Sequence, residues 1–305
     1  MRNGVINIYK EQGFTSHDVV AKLRGILKQK KIGHTGTLDP DAEGVLPVCL
    51  GSGTKLCDML TDRDKTYEAV LLLGQSTDTQ DISGTVLERA EVSVTEEMAR
   101  EAILSFVGAY EQIPPMYSAL KVGGRKLCDL ARAGQEVERK ARPVVIYGIE
   151  ILEVCMPRIR MSVSCSKGTY IRTLCHDIGE KLGCHGCMEK LLRTKAGQFL
   201  LEDSLRLSEV ERLRDEGRLD EAILPVDEAF TAHPKAVLKK ESSRLGYNGN
   251  PFRKTDLTVQ DVKEGEIRVY DHAGAFIGIY AWHPGQRRYR PVKMFYQSPA
   301  NGQSC

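Results

Sequence analysis

The sequence predicts an α+β fold, with one large mixed domain followed by a small β domain. Three observations carry this. Amphipathic helical stripes alternate with β-rich runs that end in glycine through the first two thirds of the chain. From about Lys235 the texture changes to short strands separated by "HAGA" and "HPGQ" turns. A chain of 305 residues is also too long for one typical compact domain and suits a large one with a smaller appendage. The boundaries fall at residues 1–230 and 235–296, with 297–305 as a frayed, flexible tail.

Residues 15–29 begin with Thr15 and Ser16 as cap candidates and carry Val19, Val20, Leu23, Ile26 and Leu27 at helical spacing, which predicts an amphipathic helix. The stretch "KIGHTGTLDPDAEGVLPVCLGSGTK" follows, with glycines at 33, 36, 44, 51 and 53. Within and after it, "VLPVCLG" and "TYEAVLLLG" read as strands, and "DTQDISGTV" is turn chemistry. A second helix spans 95–107, with Thr95 as cap and Ala99, Ala102, Ile103 and Phe106 on one face. "YEQIPPMYSALKVGGRK" then breaks all periodicity with two prolines and paired glycines, so a loop or loosely ordered arm is expected. Alternating Ile159, Met161, Val163 and Cys165 predict a strand, Lys167-Gly168-Thr169 a turn, and Ile171, Leu174, Cys175, Ile178 and Leu182 a helix ended by Gly183. Tyr170 and Arg172 sit at that junction. Residues 203–223 read as one or two charged surface helices, and "EIRVYD", "FIGIYAW" and "YRPVKMF" as the strands of the small domain.

Composition is that of an ordinary globular protein, 41% hydrophobic and 28% charged, with a formal charge of only +2. Attraction to a polyanion must therefore come from local clusters and not from net charge. The start lacks the pattern of a secretory signal, and the longest apolar runs fall far short of the roughly 20 residues a membrane helix needs. A cytoplasmic protein is expected, with no membrane partner. Nine scattered cysteines fit reduced thiols.

Several chemistries are disfavoured by spacing. Cys175-His176, Cys184-His185 and Cys187 raise the question of a metal, but one Cys-x-x-Cys without a matched second pair is weak, and Cys175 lies on an apolar helix stripe. No metal is expected. "GSGTK" lacks the phosphate-loop spacing, and neither a G-x-S-x-G elbow nor the zinc-deaminase motif occurs. What remains is Asp39 in a glycine loop, flanked by Lys28, Lys30, Lys31, His34 and Lys55. Asp39-Pro40 reads either as a carboxylate projecting into a cleft or as a helix cap with Pro40 at the first helical position. Tyr67 is either a stacking platform for a base or a core strand residue, and Arg172 either a site residue or a surface charge. Arg287, Arg288, Arg290 and Lys293, interleaved with Tyr289, read as an RNA-contact hairpin or as a charged edge strand.

"GHTGTLDPDAEGVLPVCLG" closely resembles the signature loop of the TruB-type bacterial tRNA pseudouridine synthases, which centres on the aspartate of G-x-L-D-P. "DKTYEAVLLLGQSTDTQDISG", "IPPMYSALKVGGRKL", "CSKGTYIRTLCHDIGEKLG" and "LLRTKAGQF" continue the resemblance in family order over residues 4–200, and the region from about Lys235 resembles a small PUA-like RNA-binding β domain. The resemblance implies a pseudouridine synthase fold, with a mixed, largely antiparallel sheet and a central cleft. It implies conversion of the uridine at position 55 of the tRNA T-loop to pseudouridine by a monomer acting on the T-arm stem-loop without cofactor, metal or guide RNA. Carried over by motif, Asp39 is the catalytic aspartate, His34 helps fill the space left by the flipped nucleotide, and Tyr67 stacks on the target base. Tyr170 and Arg172 line the pocket, Leu191 in "KLLRT" adds an apolar wall, and Asp81 and Arg172 pair with charges around Asp39.

Two positions depart from the family pattern. Lys10-Glu11 stands where Lys-Pro is usual, and Cys128 where tyrosine is common. Two other functions use the same cleft: a non-catalytic tRNA-binding or RNA-folding protein, which could dispense with Asp39, and a guide-RNA-dependent synthase, for which extended basic tails are expected.

Overall fold

An apolar strand, β1 (Gly4–Lys10), leads into α1 (Ser16–Leu27), whose start is fixed by a capping box in which Thr15 and Asp18 exchange bonds. The computed structural model describes residues 1–262 and 264–296, so the expected tail at 297–305 lies outside the described residues. In chain order there follow β2 (Ile32–His34), β3 (Glu43–Leu50), α2 (Cys57–Thr61), β4 (Lys65–Leu73), β5 (Gln75–Thr77), β6 (Val86–Arg89) and α3 (Glu96–Leu104). Next come β7 (Gly108–Gln112), β8 (Lys121–Val122), β9 (Arg125–Lys126), α4 (Leu127–Arg132), β10 (Arg142–Cys155), β11 (Arg158–Cys165) and α5 (Ile171–Lys181). The large unit closes with β12 (Gly186–Ala196), β13 (Phe199–Leu200), α6 (Leu207–Asp215) and β14 (Ile223–Leu224). The remainder is β15 (Lys235–Val237), α7 (Ser243–Tyr247), β16 (Glu266–Tyr270), β17 (Phe276–His283) and β18 (Arg288–Met294).

The main sheet runs β14-β1-β3-β12-β4-β11-β10-β7, with β2 on β3 and β13 on β12. Its pairings are antiparallel except β12 with β3, so it is mixed and largely antiparallel, as expected. That parallel contact, Leu192 opposite Glu43 and Arg193 opposite Gly44, is the seam between two halves. On one side α1 and α6 cover the sheet through Val19, Leu23, Val210 and Leu213 against Ile6, Ile8, Leu46 and Val48. On the other, α3 and α5 bury Ala99, Ile103, Leu174 and Ile178 against Leu71, Met161 and Val163. The apolar stripes legible in the sequence are these two helix-on-sheet contacts.

A second sheet, β15-β16-β17-β18, has its own core of Leu238, Phe252, Ile267, Val269, Ile277 and Tyr280. Phe276, Ile279 and Phe295 join it to Leu56, Leu60, Val226 and Phe230 of the large unit. Tyr289 is buried against Phe252 and Trp282, so its ring belongs to the core, while Arg287, Arg288 and Arg290 are exposed along this edge strand.

Two local expectations differ. The arm at 113–126 is not wholly irregular, because Gly123 and Gly124, both with positive φ, turn β8 into β9, and Leu127 and Leu130 anchor α4 by burial. Asp39-Pro40 does not start a helix. Residues 40 and 41 form a turn closed by the Ala42 amide on the Asp39 carbonyl, and the Pro40 and Ala42 carbonyls that a helix would use are taken by Lys10. Among the described residues no helix is long and apolar enough to cross a membrane.

Candidate active site

The turn that carries Asp39 lies between β2 and β3 and is gripped from beneath. Lys10, wholly buried at the end of β1, donates from Nζ to the carbonyls of Glu11 (3.1 Å), Pro40 (3.0 Å) and Ala42 (2.6 Å). The Gly13 amide adds a bond to the Pro40 carbonyl, and the Ser16 hydroxyl accepts from the Leu38 amide while donating to its carbonyl. Glu11, where the family usually has proline, is tied by an ion pair to Arg206. The backbone on both sides of Asp39 is thus fixed, and its carboxylate is left 41% exposed.

Arg172 meets that carboxylate. It stands in the first turn of α5, only 6% exposed, which rules out the surface-charge reading. Its Nε lies 3.1 Å from Asp39 Oδ2 and its Nη1 3.3 Å from Asp81 Oδ2. The remaining donors reach the Thr79 carbonyl at 3.1 Å and the Tyr117 carbonyl at 2.8 Å. Asp81 is itself oriented by the hydroxyls of Thr79 and Ser83. Crowding by protein pushes the Asp39 pKa up, the Arg172 guanidinium pulls it back, and Asp81 raises it again.

The other candidates surround this pair at different removes. Tyr67 on β4 is buried in one apolar cluster with Leu38 and Ala42, against which Leu191 packs. Burial raises the pKa of its hydroxyl against the pull of Arg193, the residue opposite it on β12. His34 accepts the Gly36 amide on Nδ1, and burial together with the Arg193 charge lowers its pKa, favouring the neutral ring. Tyr170 is the N-cap residue of α5, and burial raises its pKa. Asp39, Asp81 and Arg172 are therefore in direct contact, while His34 and Tyr67 join them through Arg193 and the loop. The basic residues of β18 take no part in these contacts, nor does a cavity of about 470 Å³ between α1 and α6, lined by Phe14, Lys22, Ile26 and Leu207.

Three residues at the site went unread in the sequence. Lys10 carries no local signal beyond its place in the departing Lys10-Glu11 pair. Arg193 lies two positions beyond Leu191 in "KLLRT", and i, i+2 spacing on a strand was the signal that could have found it. Gln112, in the irregular "YEQIPP", is 1% exposed and holds the Tyr170 backbone; nothing local marked it. Among the described residues the cysteines are free thiols, and no three His, Cys, Asp or Glu side chains gather as a metal site.

Comparison with known proteins bears on what such a site does. Residues 24–171 match the N-terminal domain of TruB family pseudouridylate synthases, and residues 172–231 match the tRNA pseudouridylate synthase B C-terminal domain. The chain is 55% identical to tRNA pseudouridine synthase B of Lachnoclostridium phytofermentans, over 96% of this chain and 99% of that one. It is 41% identical to the protein of the same name from Bacillus pumilus, over 97% and 99%. Among solved structures, an H/ACA RNP bound to a substrate RNA containing 2'-deoxyuridine aligns with a TM-score of 0.70 at 25% identity, covering 96% of this chain and 85% of that one. A Cbf5-Nop10-Gar1 complex aligns with a TM-score of 0.71 at 27% identity over the same shares. With near-complete coverage at such identity, and both family domains matched in order across Asp39, Asp81 and Arg172, the chain belongs to the TruB family of pseudouridylate synthases.

Proposed function

We propose that this protein is a stand-alone tRNA pseudouridine synthase that isomerises the uridine at position 55 of the T-loop, with Asp39 as the reacting carboxylate. The observation that carries it is the buried Arg172 held between Asp39 and Asp81, with one carboxylate left open to solvent. The relatives named tRNA pseudouridine synthase B support the substrate, and their identity of 41–55% against 25–27% for the H/ACA structures favours action without a guide RNA.

The reaction breaks the bond between uracil N1 and ribose C1′, turns the base and joins C5 to C1′, and the proton lost from C5 is matched by one taken up at N1. It therefore needs an ionised group beside the reacting nucleoside and walls that retain the loose base. Asp39 meets the first need because Arg172 opposes the burial that would protonate it. Tyr67 supplies an aromatic face, with Leu191 and Tyr170 as further walls and His34 beside the flipped nucleotide; extrusion from a loop costs only a few kcal/mol. Residues 1–230 would form the catalytic domain and 235–296 a PUA-like module, whose Arg287, Arg288 and Arg290 offer charge to tRNA phosphates. The enzyme would act as a cytoplasmic monomer, its own side chains supplying the chemistry.

The test is pseudouridine mapping by mass spectrometry, after chemical labelling, of an unmodified T-arm stem-loop incubated with wild type and with Asp39→Asn. Product at the single T-loop uridine with wild type alone supports substrate and carboxylate together. Tight binding without product from wild type would move the protein to an RNA-binding or guide-dependent role.

A further inference from the structure

Arg193 is among the largest fully buried side chains of the protein, 2% exposed, and among the described residues it pairs with no carboxylate. A desolvated guanidinium costs several kcal/mol unless its donors are used, and a methionine would fill the same volume without that cost. Its donors are used in a particular way. Nε donates to the Val45 carbonyl at 2.6 Å, Nη2 lies 3.5 Å from the Gly36 carbonyl, and the guanidinium charge acts on the Tyr67 hydroxyl from the facing strand position. Gly36 precedes the Asp39 turn and Val45 follows it. The backbone leaves little slack in this arrangement. Arg193 faces Tyr67 across β12 and β4 and Gly44 across β12 and β3, and a Cβ on Gly44 would stand 2.3 Å from the Arg193 carbonyl oxygen.

We propose that Arg193 is a positioning residue for the isomerisation: one planar guanidinium sets the spacing between the Tyr67 ring and both ends of the loop that carries Asp39. The inference rests on Asp39 and Tyr67 being the reacting carboxylate and the base platform. Because Arg193 is enclosed, its loss acts on turnover and leaves RNA affinity in place. Lysine keeps the charge but lacks the rigid fork, so it cannot hold the Val45 and Gly36 carbonyls in one plane while facing Tyr67.

The experiment measures kcat and KM for full-length wild type, Arg193→Lys, Tyr67→Phe and the double variant. The substrate is an unmodified T-arm stem-loop carrying C5-tritiated uridine, read by tritium release, with melting temperatures alongside. Arg193→Lys should lower kcat about tenfold or more with KM within about twofold. The double variant should fall within about twofold of the weaker single one, since both changes remove the same interaction between the guanidinium and the facing Tyr67 hydroxyl. Losses that multiply in the double variant, a KM effect in place of a kcat effect, or full activity in Arg193→Lys would each overturn the proposal. Should Arg193→Lys fail to fold, Tyr67→Phe decides alone, because an unchanged kcat there removes the contact Arg193 is proposed to set. Asp39→Asn separates the two levels: activity in that variant sinks the underlying reading, whereas an inactive Asp39→Asn beside a fully active Arg193→Lys sinks only the positioning role.

Discussion

Gln112 spends both ends of its side-chain amide on a single residue, Tyr170: Nε2 donates to the Tyr170 carbonyl at 2.9 Å and Oε1 accepts the Tyr170 amide at 2.8 Å. Gln112 ends the edge strand β7, and Tyr170 caps the helix that carries Arg172, so this amide fixes where α5 begins. Replacing Gln112 by methionine keeps the volume and strands two backbone groups. The expected cost is about 2–4 kcal/mol, from two lost bonds and two unsatisfied groups. Thermal unfolding should show a clear fall in Tm, and turnover on a T-arm stem-loop should fall at a temperature where the variant is still folded. An unchanged Tm would mean that the Tyr170 backbone finds other partners.

The Asp39 carboxyl predicts a pH dependence. Its pKa is raised, first by burial and then by the Asp81 charge, against the pull of Arg172. Activity requires the ionised form, so it should rise with pH through a midpoint above the ordinary aspartate range. Asp81→Asn removes the like charge, so the acid limb of kcat/KM should move to lower pH. A limb that stays in place would assign it to another group.

The parts of this fold legible in the sequence are those where burial follows a local period. Leu23 and Ile26 on α1, Ala99 and Ile103 on α3 and Leu174 and Ile178 on α5 are core residues because each helix lies flat on the sheet. Strand β12 obeys no such rule. Bulges between Met188 and Lys190 and between Arg193 and Lys195 leave only the short run from Leu191 to Arg193 in regular alternation, too little to mark Arg193 by period alone. The site is harder still, because Arg172 takes its partners from residues 39, 79, 81 and 117, four positions on three separate segments that only the tertiary fold assembles. Motif resemblance named Asp39, Asp81 and Arg172; residue type and spacing alone left Arg172 open between a site and a surface charge.

Two helical glycines should respond in opposite directions to the same change. A Cβ at Gly179 of α5 would stand 2.1 Å from the Gly186 nitrogen and 2.3 Å from the His185 carbonyl carbon, all backbone of the turn into β12. Gly179→Ala must push the helix off the strand and should cost about 1–3 kcal/mol, with loss of turnover because Arg172 rides on that helix. Gly25 of α1 has nothing within 4 Å of an added Cβ, so Gly25→Ala should stabilise by about 0.5–1 kcal/mol with unchanged turnover. Denaturant midpoints of the two variants check both signs.

Lys10 predicts the alkaline side of the profile. Burial pulls its pKa down to about 8, while three carbonyls match the three N–H groups of the charged form. Above that pH the folded protein loses one donor and the positive charge beneath the Asp39 turn, so kcat/KM should decline as pH rises through about 8. Loss of stability through Lys10 cannot be the cause. Between about 8 and the ordinary lysine value of 10.5 the unfolded chain holds the proton that the folded one has lost, so this group makes stability rise with pH across the window. Lys65, also brought to about 8, binds the Thr61 and Arg63 carbonyls and serves as the control. Lys65→Met should keep the alkaline limb, whereas Lys10→Met should lie on a low plateau without it. An alkaline decline that persists in Lys10→Met would place the titrating group elsewhere.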